Sequence, residues 1–371
     1  MLKLFNPSAM TASKIIVLFL SGLIWLSPHV SFGQQSDRVP VQSNRLFDSE
    51  ETVEIRLEGD IETLLNDRGE DPSYHLFKLH VENPDSKESL DLRVKVRGNF
   101  RRLKKNCDTP PLKFNFKKHE VPEASLFAGQ PELKLVVPCR GEEYVIREYL
   151  VYKLYNLFTD YSFNVRLVRF TFHDGGRGEL SDPQYGFLIE DKETVANRIE
   201  ASLFERLNYR PEIVDQEAFF RMSVFAYMIG NTDWSIQFLH NTKLYFMNSE
   251  KVFISVPYDF DLVGLVSSPY ARPAPALNLR SVRERVYRGY CLEDLKLLNP
   301  TFAQFRELRP EIYRTIRENP LLDEDYIEFA TEYLDDFYDI LDNRKKRSRV
   351  FRYPCNRNGT GNVVIRGLNE G

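Results

Sequence analysis

Apolar and polar residues alternate through most of the first half of the chain. Val53, Ile55 and Leu57 alternate with Glu54 and Arg56, and Leu92, Val94 and Val96 alternate with Arg93, Lys95 and Arg97. A period of two predicts half-buried strands over 53–57 and 90–97. Further strands are predicted over 75–81, 112–116, 133–137, 165–172 and 184–189, with a helical turn at 61–66. The strand at 112–116 sets Leu112, Phe114 and Phe116 on one face and Lys113 on the other. The period changes over 142–158, where Ile146, Leu150, Leu154 and Leu157 predict an amphipathic helix. From Ile199 onward the pattern reads as helical. Asp215 to Ile229 is a buried helix, and 302–352 is helical, with Phe329, Tyr333, Phe337 and Ile340 as core. Residues 262–279 are rich in Pro and Ser and read as a loop. Arg280, Arg283, Arg285 and Arg288 follow at helical spacing, either as a solvated basic face or as an anion-binding edge.

Between these helical stretches lies the segment with the most chemistry. Gly230-Asn231-Thr232-Asp233 is a polar turn. Two β-type runs, 243–247 and 251–256, flank Asn248-Ser249-Glu250, the turn chemistry of a hairpin. The second run ends in Pro257-Tyr258-Asp259-Phe260-Asp261. One supersecondary unit thus presents Asp233, Asn241, Asp259 and Asp261 at loop ends. Asp and Asn oxygens are hard ligands of the kind magnesium prefers when it is bound to nucleotide phosphates. An Asp set apart from the metal ligands is suited to accept a hydroxyl proton. The plainer reading is that these residues cap turns. His240 reads as a hydrogen-bonded loop residue.

The order helix, Asp, Asn, hairpin, Asp resembles the catalytic core of the protein-kinase superfamily. On that resemblance Asp233 stands for the catalytic Asp, Asn241 for the metal-binding Asn and Asp259 for the first residue of D-F-G. The loop lacks H-R-D, seven residues rather than four separate Asp233 from Asn241, and Asp261 replaces the Gly. The segment is closer to the atypical, secreted spore-coat CotH kinase family. There N-x-D-W/R, a following H-N and a P-Y/W-D-x-D strand end look similar. Arg97-Gly98-Asn99 resembles that family's R-G-N turn, Pro111 to Phe116 its K-P-Y-K-x-K-F strand, and Tyr185 to Glu190 its G-x-Y-x-x-x-E segment. The resemblance covers about 53–264, and only 230–261 is specific. It implies Lys113 as the phosphate-contacting lysine and Glu148 as its pairing acid, with Lys134 and Glu143 as rivals. No G-x-G-x-x-G covers the phosphates, and Arg97 to Asn99 is the only substitute in view.

Composition narrows the setting. The chain has 371 residues, 42% hydrophobic and 28% charged, with 27 Phe and 19 Tyr, as in a globular protein with bulky cores. A net charge of -4 argues against a generally basic nucleic-acid binder. Lys3 and Lys14 precede an apolar run, 15–26, too short to span a bilayer comfortably. Pro28 and the small residues before Gln34 read as the end of a signal peptide over 1–33. No later run reaches membrane-spanning length. Cys107, Cys139, Cys291 and Cys355 are an even set in an exported chain and predict two disulfides, with three connectivities. Local order favours Cys107–Cys139 and Cys291–Cys355.

These readings combine into an α+β, two-lobed, protein-kinase-like expectation. A sheet-rich N-lobe with one long helix spans 45–190, a mostly helical C-lobe spans 191–355 and carries the hairpin at 230–261, and 356–371 is a tail. The implied activity is exported, periplasmic or secreted phosphoryl transfer. ATP is the donor, Mg2+ or Mn2+ the metal, and the acceptor is a hydroxyl on a small molecule or protein, an envelope protein among them. Asp233 is catalytic, Asn241, Asp259 and Asp261 hold metal, and Lys113 and Glu148 serve the nucleotide. The alternative is a pseudokinase, an envelope binding or scaffold protein without turnover.

Overall fold

The computed structural model describes residues 45–353 except 84–85 and 118–119, together with 355–356 and 361–362. The expected signal peptide, 1–33, lies outside the described residues. Of the expected tail, only the pairing of Cys355–Asn356 with Gly361–Asn362 is described.

Alternation becomes a barrel. The elements run β1 (Val53–Gly59), α1 (Ile61–Asn66), β2 (His75–Asn83), β3 (Ser86–Val96), β4 (Leu112–Asn115), β5 (Glu132–Val136), α2 (Glu142–Asn156), β6 (Val165–Asp174), β7 (Glu179–Leu180) and β8 (Gln184–Ile189). The sheet order is β1-β2-β3-β4-β5-β8-β6-β7, and β6 returns to pair in parallel with β1, Val53 opposite Val168 through Gly59 opposite Asp174. Seven strands therefore close on themselves, which removes the free edges an open sheet would expose. Ile55, Leu57, Leu79, Leu92, Val94, Phe114, Leu133, Leu135, Phe170 and Leu188 fill the interior. In β5, β6 and β8 the opposite face is apolar too. Val136, Leu167, Phe187 and Ile189 face outward into a second core.

That second core is built on α3 (Lys192–Arg198), β9 (Ala201–Phe204), α4 (Gln216–Ile229), β10 (Thr242–Met247), β11 (Val252–Pro257), α5 (Asn299–Glu307), α6 (Arg309–Arg317), α7 (Glu324–Asp342) and α8 (Arg344–Val350). Helix α2 belongs to this core, clamped between the barrel wall and the helices. It buries Val145, Ile146, Glu148, Tyr149, Leu150, Val151, Tyr152, Leu154 and Tyr155, so it is covered on nearly every side. The α+β class holds. The two-lobed arrangement is not clearly present: the sheet closes as a seven-stranded barrel, and the outward apolar faces of β5, β6 and β8 join it to the helical body.

Two local expectations also change. The stretch after Ile199 is not purely helical, since β9 pairs with β10, Leu203 opposite Tyr245, and extends the hairpin to three strands. Residues 280–288 form no helix; Arg285 and Arg288 reach inward to backbone carbonyls, while Arg280 pairs with Glu284 and Arg283 donates to the Ser267 hydroxyl.

Candidate functional site

The hairpin is formed by β10 and β11, with Thr242 opposite Pro257. At its open end the Tyr258 N–H donates to the Asn241 carbonyl (3.1 Å), so Asn241 and Asp259 leave the ladder side by side. Asp259 takes a left-handed backbone, φ +64°, as does Asn241, φ +48°. Non-glycine residues adopt that region at a cost that the surroundings must offset. Here the Asp259 N–H donates to the fully buried Tyr152 hydroxyl (2.8 Å), and the Phe260 ring packs 4.7 Å from the Tyr152 ring.

The seven residues between Asp233 and Asn241 fold onto themselves. Ser235 and His240 exchange backbone hydrogen bonds (2.9 and 3.0 Å), so the longer loop closes as a tight turn. Asn241 Nδ2 consequently reaches Asp233 Oδ2 (3.0 Å) and the Asp233 carbonyl (2.9 Å). His240 Nε2 lies 2.9 Å from Asp233 Oδ1, as expected of a hydrogen-bonded loop residue. That hydrogen bond to Asp233 raises the His240 imidazole above its ordinary value. The Asp233 N–H is held in turn by Asn231 Oδ1 (2.9 Å).

Behind the hairpin, α2 supplies a charge. Glu148 and Tyr152 are four residues apart and share one helix face. Glu148 Oε2 pairs with Arg101 Nη1 (3.2 Å), whose Nη2 donates to the Val137 carbonyl (2.9 Å). Asp261 Oδ2 lies 3.9 Å from the same guanidinium and accepts from the Tyr270 hydroxyl (3.2 Å). Arg101, Glu148 and Asp261 are all buried. Burial pushes the Glu148 carboxyl up to about 8 against the pull of Arg101, and burial together with Asp259 pushes Asp261 up to about 7. Two buried carboxylates thus share one guanidinium and retain a proton between them near neutrality. Burial by itself would lower Arg101, but Tyr270, Glu148 and Asp261 outweigh it and hold the guanidinium charged.

Arg101 is the residue that sequence reasoning missed. It takes the place expected of Lys113, which sits on the outer barrel wall and pairs with Glu132 (2.7 Å). The expected Lys113–Glu148 pair does not form. Each partner is engaged elsewhere, Lys113 with Glu132 and Glu148 with Arg101. The rival acid, Glu143, is exposed. Arg101 lies in the R-G-N-F-R-R run, and the only sequence signal for it was the basic residues following the Gly98 turn, where φ is +91°. The run is tied down by the Cys107–Cys139 disulfide, with Cα atoms 4.7 Å apart, as local order favoured. Cys291 is also disulfide-bonded, and the side chain of Cys355 lies outside the described residues.

The rival lysine, Lys134, occupies the seam between the barrel and the hairpin. Register places Lys95, Lys113 and Lys134 opposite one another on the outer wall. Lys134 is half-buried, with Nζ 5.7 Å from the Phe163 ring centroid and 5.5 Å from that of Tyr258. Burial, with Arg97 adding to it, pushes its ammonium down to about 7.

Two more arginines brace the end of α4 and the loop around Asp233. Arg288 Nη1 donates to the carbonyls of Thr232 (2.5 Å) and Trp234 (2.7 Å), on either side of Asp233. Arg285 Nε donates to the Met228 carbonyl (3.1 Å), and its guanidinium stacks 3.5 Å from the Tyr333 ring centroid. The basic run after the Pro-rich loop is therefore partly internal scaffolding.

Oxygen donors fit a hard cation at the hairpin mouth. The Asn241 amide nitrogen is spent on Asp233, which leaves its oxygen available, and the Asp259 carboxylate accepts no hydrogen bond among the described residues. Asp261, expected as a third ligand, is committed to Arg101 and Tyr270. Among the described residues no group of three or more His, Cys, Asp or Glu is placed to hold a metal ion. A cation there would draw its remaining ligands from phosphate and water, as magnesium does. No described helix is long and apolar enough to cross a membrane.

No family model and no curated protein matches this chain. Among solved structures, a Helicobacter pylori proinflammatory kinase, CtkA, is similar over 74% of this chain and 91% of that chain. The identity is 11% and the TM-score 0.33. A likeness of that degree carries no argument about this chain, and the spore-coat resemblance rests on the motifs alone.

Proposed function

We propose that the chain is an exported, kinase-like phosphotransferase that moves a phosphoryl group from a nucleotide to a hydroxyl acceptor. The observation that carries this reading is the meeting of Asp233, Asn241 and Asp259, achieved although the loop is longer than in protein kinases. Asn241 touches both neighbours, hydrogen-bonding Asp233 by its side chain and Tyr258, next to Asp259, by its carbonyl. Asn241 and Asp259 are the residues that would hold magnesium, and the ion would neutralise phosphate charge. Asp233 is oriented by His240 and Asn241, and each carboxylate oxygen keeps a second lone pair. It orients the acceptor hydroxyl and takes its proton. Glu148 and Arg101 are positioning residues, fixing α2 against the Asp259–Asp261 turn. Export is supported by the modest apolar segment at 15–26 and by the disulfide chemistry, which persists in oxidising compartments.

One observation favours a scaffold without turnover. The buried pair at α2 uses Arg101 rather than a strand lysine, so the pair itself offers no cation free to meet phosphate. Thermal shift and transfer on the full chain decide between the two. Wild type and Asp233→Asn should be stabilised by ATP only with magnesium, and Asp259→Ala should lose that response while keeping its fold. Labelled phosphate should move in wild type and fall by about 10²–10⁴-fold in Asp233→Asn. Binding without transfer in wild type would establish the scaffold. No nucleotide response under any metal would remove the kinase reading.

A further inference from the structure

Two stretches of this chain carry basic residues with no Asp or Glu among them. Residues 97–106 hold Arg97, Arg101, Arg102, Lys104 and Lys105, and residues 262–283 hold Arg272, Arg280 and Arg283, in a chain whose net charge is -4. The fold joins the two stretches at the candidate site. The Phe100 ring packs 5.5 Å from the Tyr270 ring, the Tyr270 hydroxyl donates to Asp261 (3.2 Å), and Arg101 lies 3.9 Å from the same carboxylate. Their shared surface therefore starts two residues from Asp259. The Cys107–Cys139 disulfide and the Arg140 hydrogen bond to the Lys105 carbonyl (3.1 Å) hold the first stretch in place. On the outside, Lys104, Lys105, Arg272 and Arg280 are exposed. So are Phe100 and Leu103, at 46% and 38%. Carboxylates match Arg101 and, through Glu284 (3.2 Å), Arg280. The bordering acid Asp108 acts on Arg68. Among the described residues Arg102, Lys104, Lys105 and Arg272 form no ion pair, and the guanidinium groups of Arg102 and Arg272 donate to backbone carbonyls.

A patch of one sign beside a site draws partners of the other sign and raises their rate of encounter. Here the patch is basic and surrounds two exposed apolar side chains, which offer burial to whatever the charge brings in. We propose that residues 97–106 and 262–283 together form the docking surface for the acceptor, and that the acceptor is an acidic polypeptide segment with apolar side chains near its hydroxyl. That the docked partner is an acceptor rests on the phosphotransferase reading; that it is acidic rests on the charge and exposure of the surface. A nucleic acid or an anionic bilayer would also meet the charge. A bilayer needs a broad apolar face to enter it, and Phe100 and Leu103 are the only large apolar residues of these stretches that are exposed. A nucleic acid offers no apolar side chain to cover them. An extended polypeptide offers acids and apolar groups in alternation and advances about 3.3 Å per residue. Its acids can dock on Lys104, Lys105 and Arg272 while a Ser, Thr or Tyr a few residues away reaches Asp233.

The test uses the full chain and three synthetic peptides, each with one Ser, one Thr and one Tyr. Their flanking residues are Asp and Leu, Asn and Leu, or Lys and Leu. Binding is read by fluorescence anisotropy without nucleotide, and transfer by labelled phosphate with ATP and magnesium. Phosphatidylglycerol vesicles are the competing surface. The acidic peptide should bind about tenfold more tightly than the neutral one and be the preferred acceptor. That preference should fade in about 1 M salt, where the Debye length is only about 3 Å. Replacing Lys104 and Lys105 together by Glu should weaken acidic-peptide binding about tenfold or more and abolish the preference. The melting temperature and the response to ATP with magnesium should stay as in wild type, since both lysines are exposed. Lys87→Glu, an exposed lysine at the far end of β3, is the charge control and should match wild type. Equal binding of the three peptides, or unchanged acidic-peptide binding in the double variant, overturns the surface. Transfer to some other hydroxyl would then leave the phosphotransferase reading standing. Tighter binding to vesicles than to the acidic peptide overturns it in favour of a membrane. Loss of the ATP response in the double variant assigns the lysines to the nucleotide and overturns it as well. Acidic-peptide binding that the double variant loses, with no transfer by wild type to any hydroxyl, removes the phosphotransferase reading and leaves the surface as that of a scaffold.

Discussion

Arg101→Met is the substitution whose effect follows most directly from the geometry. In the wild type one buried guanidinium faces Glu148 at 3.2 Å and Asp261 at 3.9 Å and also holds the Val137 carbonyl. Methionine keeps much of the stem and removes the charge. Breaking a buried ion pair by deleting one partner costs about 3–5 kcal/mol, because the other charge is left uncompensated. Carboxylates, however, can escape that cost by taking up protons. Glu148 and Asp261 are already raised by burial, so the folded state binds more protons than the unfolded one between the ordinary carboxylate range and about pH 7–8. Stability carried by these groups is therefore full at low pH and is lost as pH rises through the folded values. Without Arg101 the force that lowers Glu148 and Asp261 disappears, both rise further, and the loss deepens and extends to higher pH. At pH 5 both carboxyls are neutral in wild type and variant, so the difference should be only about 1 kcal/mol, from the Val137 hydrogen bond and packing. At pH 8 it should reach the full 3–5 kcal/mol, a fall in melting temperature of about 4–6 °C for a chain of this size. The assay is a melting series at pH 5, 6.5 and 8 on both proteins. Arg101→Lys should fall between them, since one ammonium cannot span Glu148 and the Val137 carbonyl as the guanidinium fork does. Equal losses at pH 5 and pH 8, or a loss below 1 kcal/mol at pH 8, would show that the buried carboxylates do not depend on Arg101.

Two further tests probe the frame around the site. Replacing Cys107 and Cys139 together by Ser should cost about 2–4 kcal/mol, measured by denaturant melting, with a loss of nucleotide response at temperatures where the fold survives, because the freed loop carries Arg101. Gly230→Ala should destabilise the chain by more than 1 kcal/mol. Gly230 ends α4 at φ +69°, and a Cβ there would collide with the Tyr333 hydroxyl and stand 3.2 Å from the Gly264 Cα. A melting temperature equal to wild type would remove the close approach of α4, α7 and the segment after Asp261.

What the sequence by itself determined is the local structure. Each predicted strand of the first half is present within a few residues of its expected limits, because the period of two reports directly which side chains are buried. The hairpin at β10 and β11 and the Asp233, Asn241, Asp259 order were legible for the same reason. Turn chemistry, strand ends and residue types all lie within a span of about 30 residues. The Cys107–Cys139 pairing was legible as nearest neighbours in order. What the tertiary structure decided is who meets whom across the chain. Closure of β6 onto β1, the burial of α2 on nearly every side and the second face of β5, β6 and β8 depend on contacts that leave no period in the sequence. Arg101 and Glu148 are 47 residues apart. A lysine on a strand and an arginine in a loop look equally available until the barrel closes and turns Lys113 outward to Glu132. Lys134 gives no sign of its burial until the fold brings it to the rings of Phe163 and Tyr258. Burial turns a charge from solvated to consequential, and burial is a property of the assembled fold.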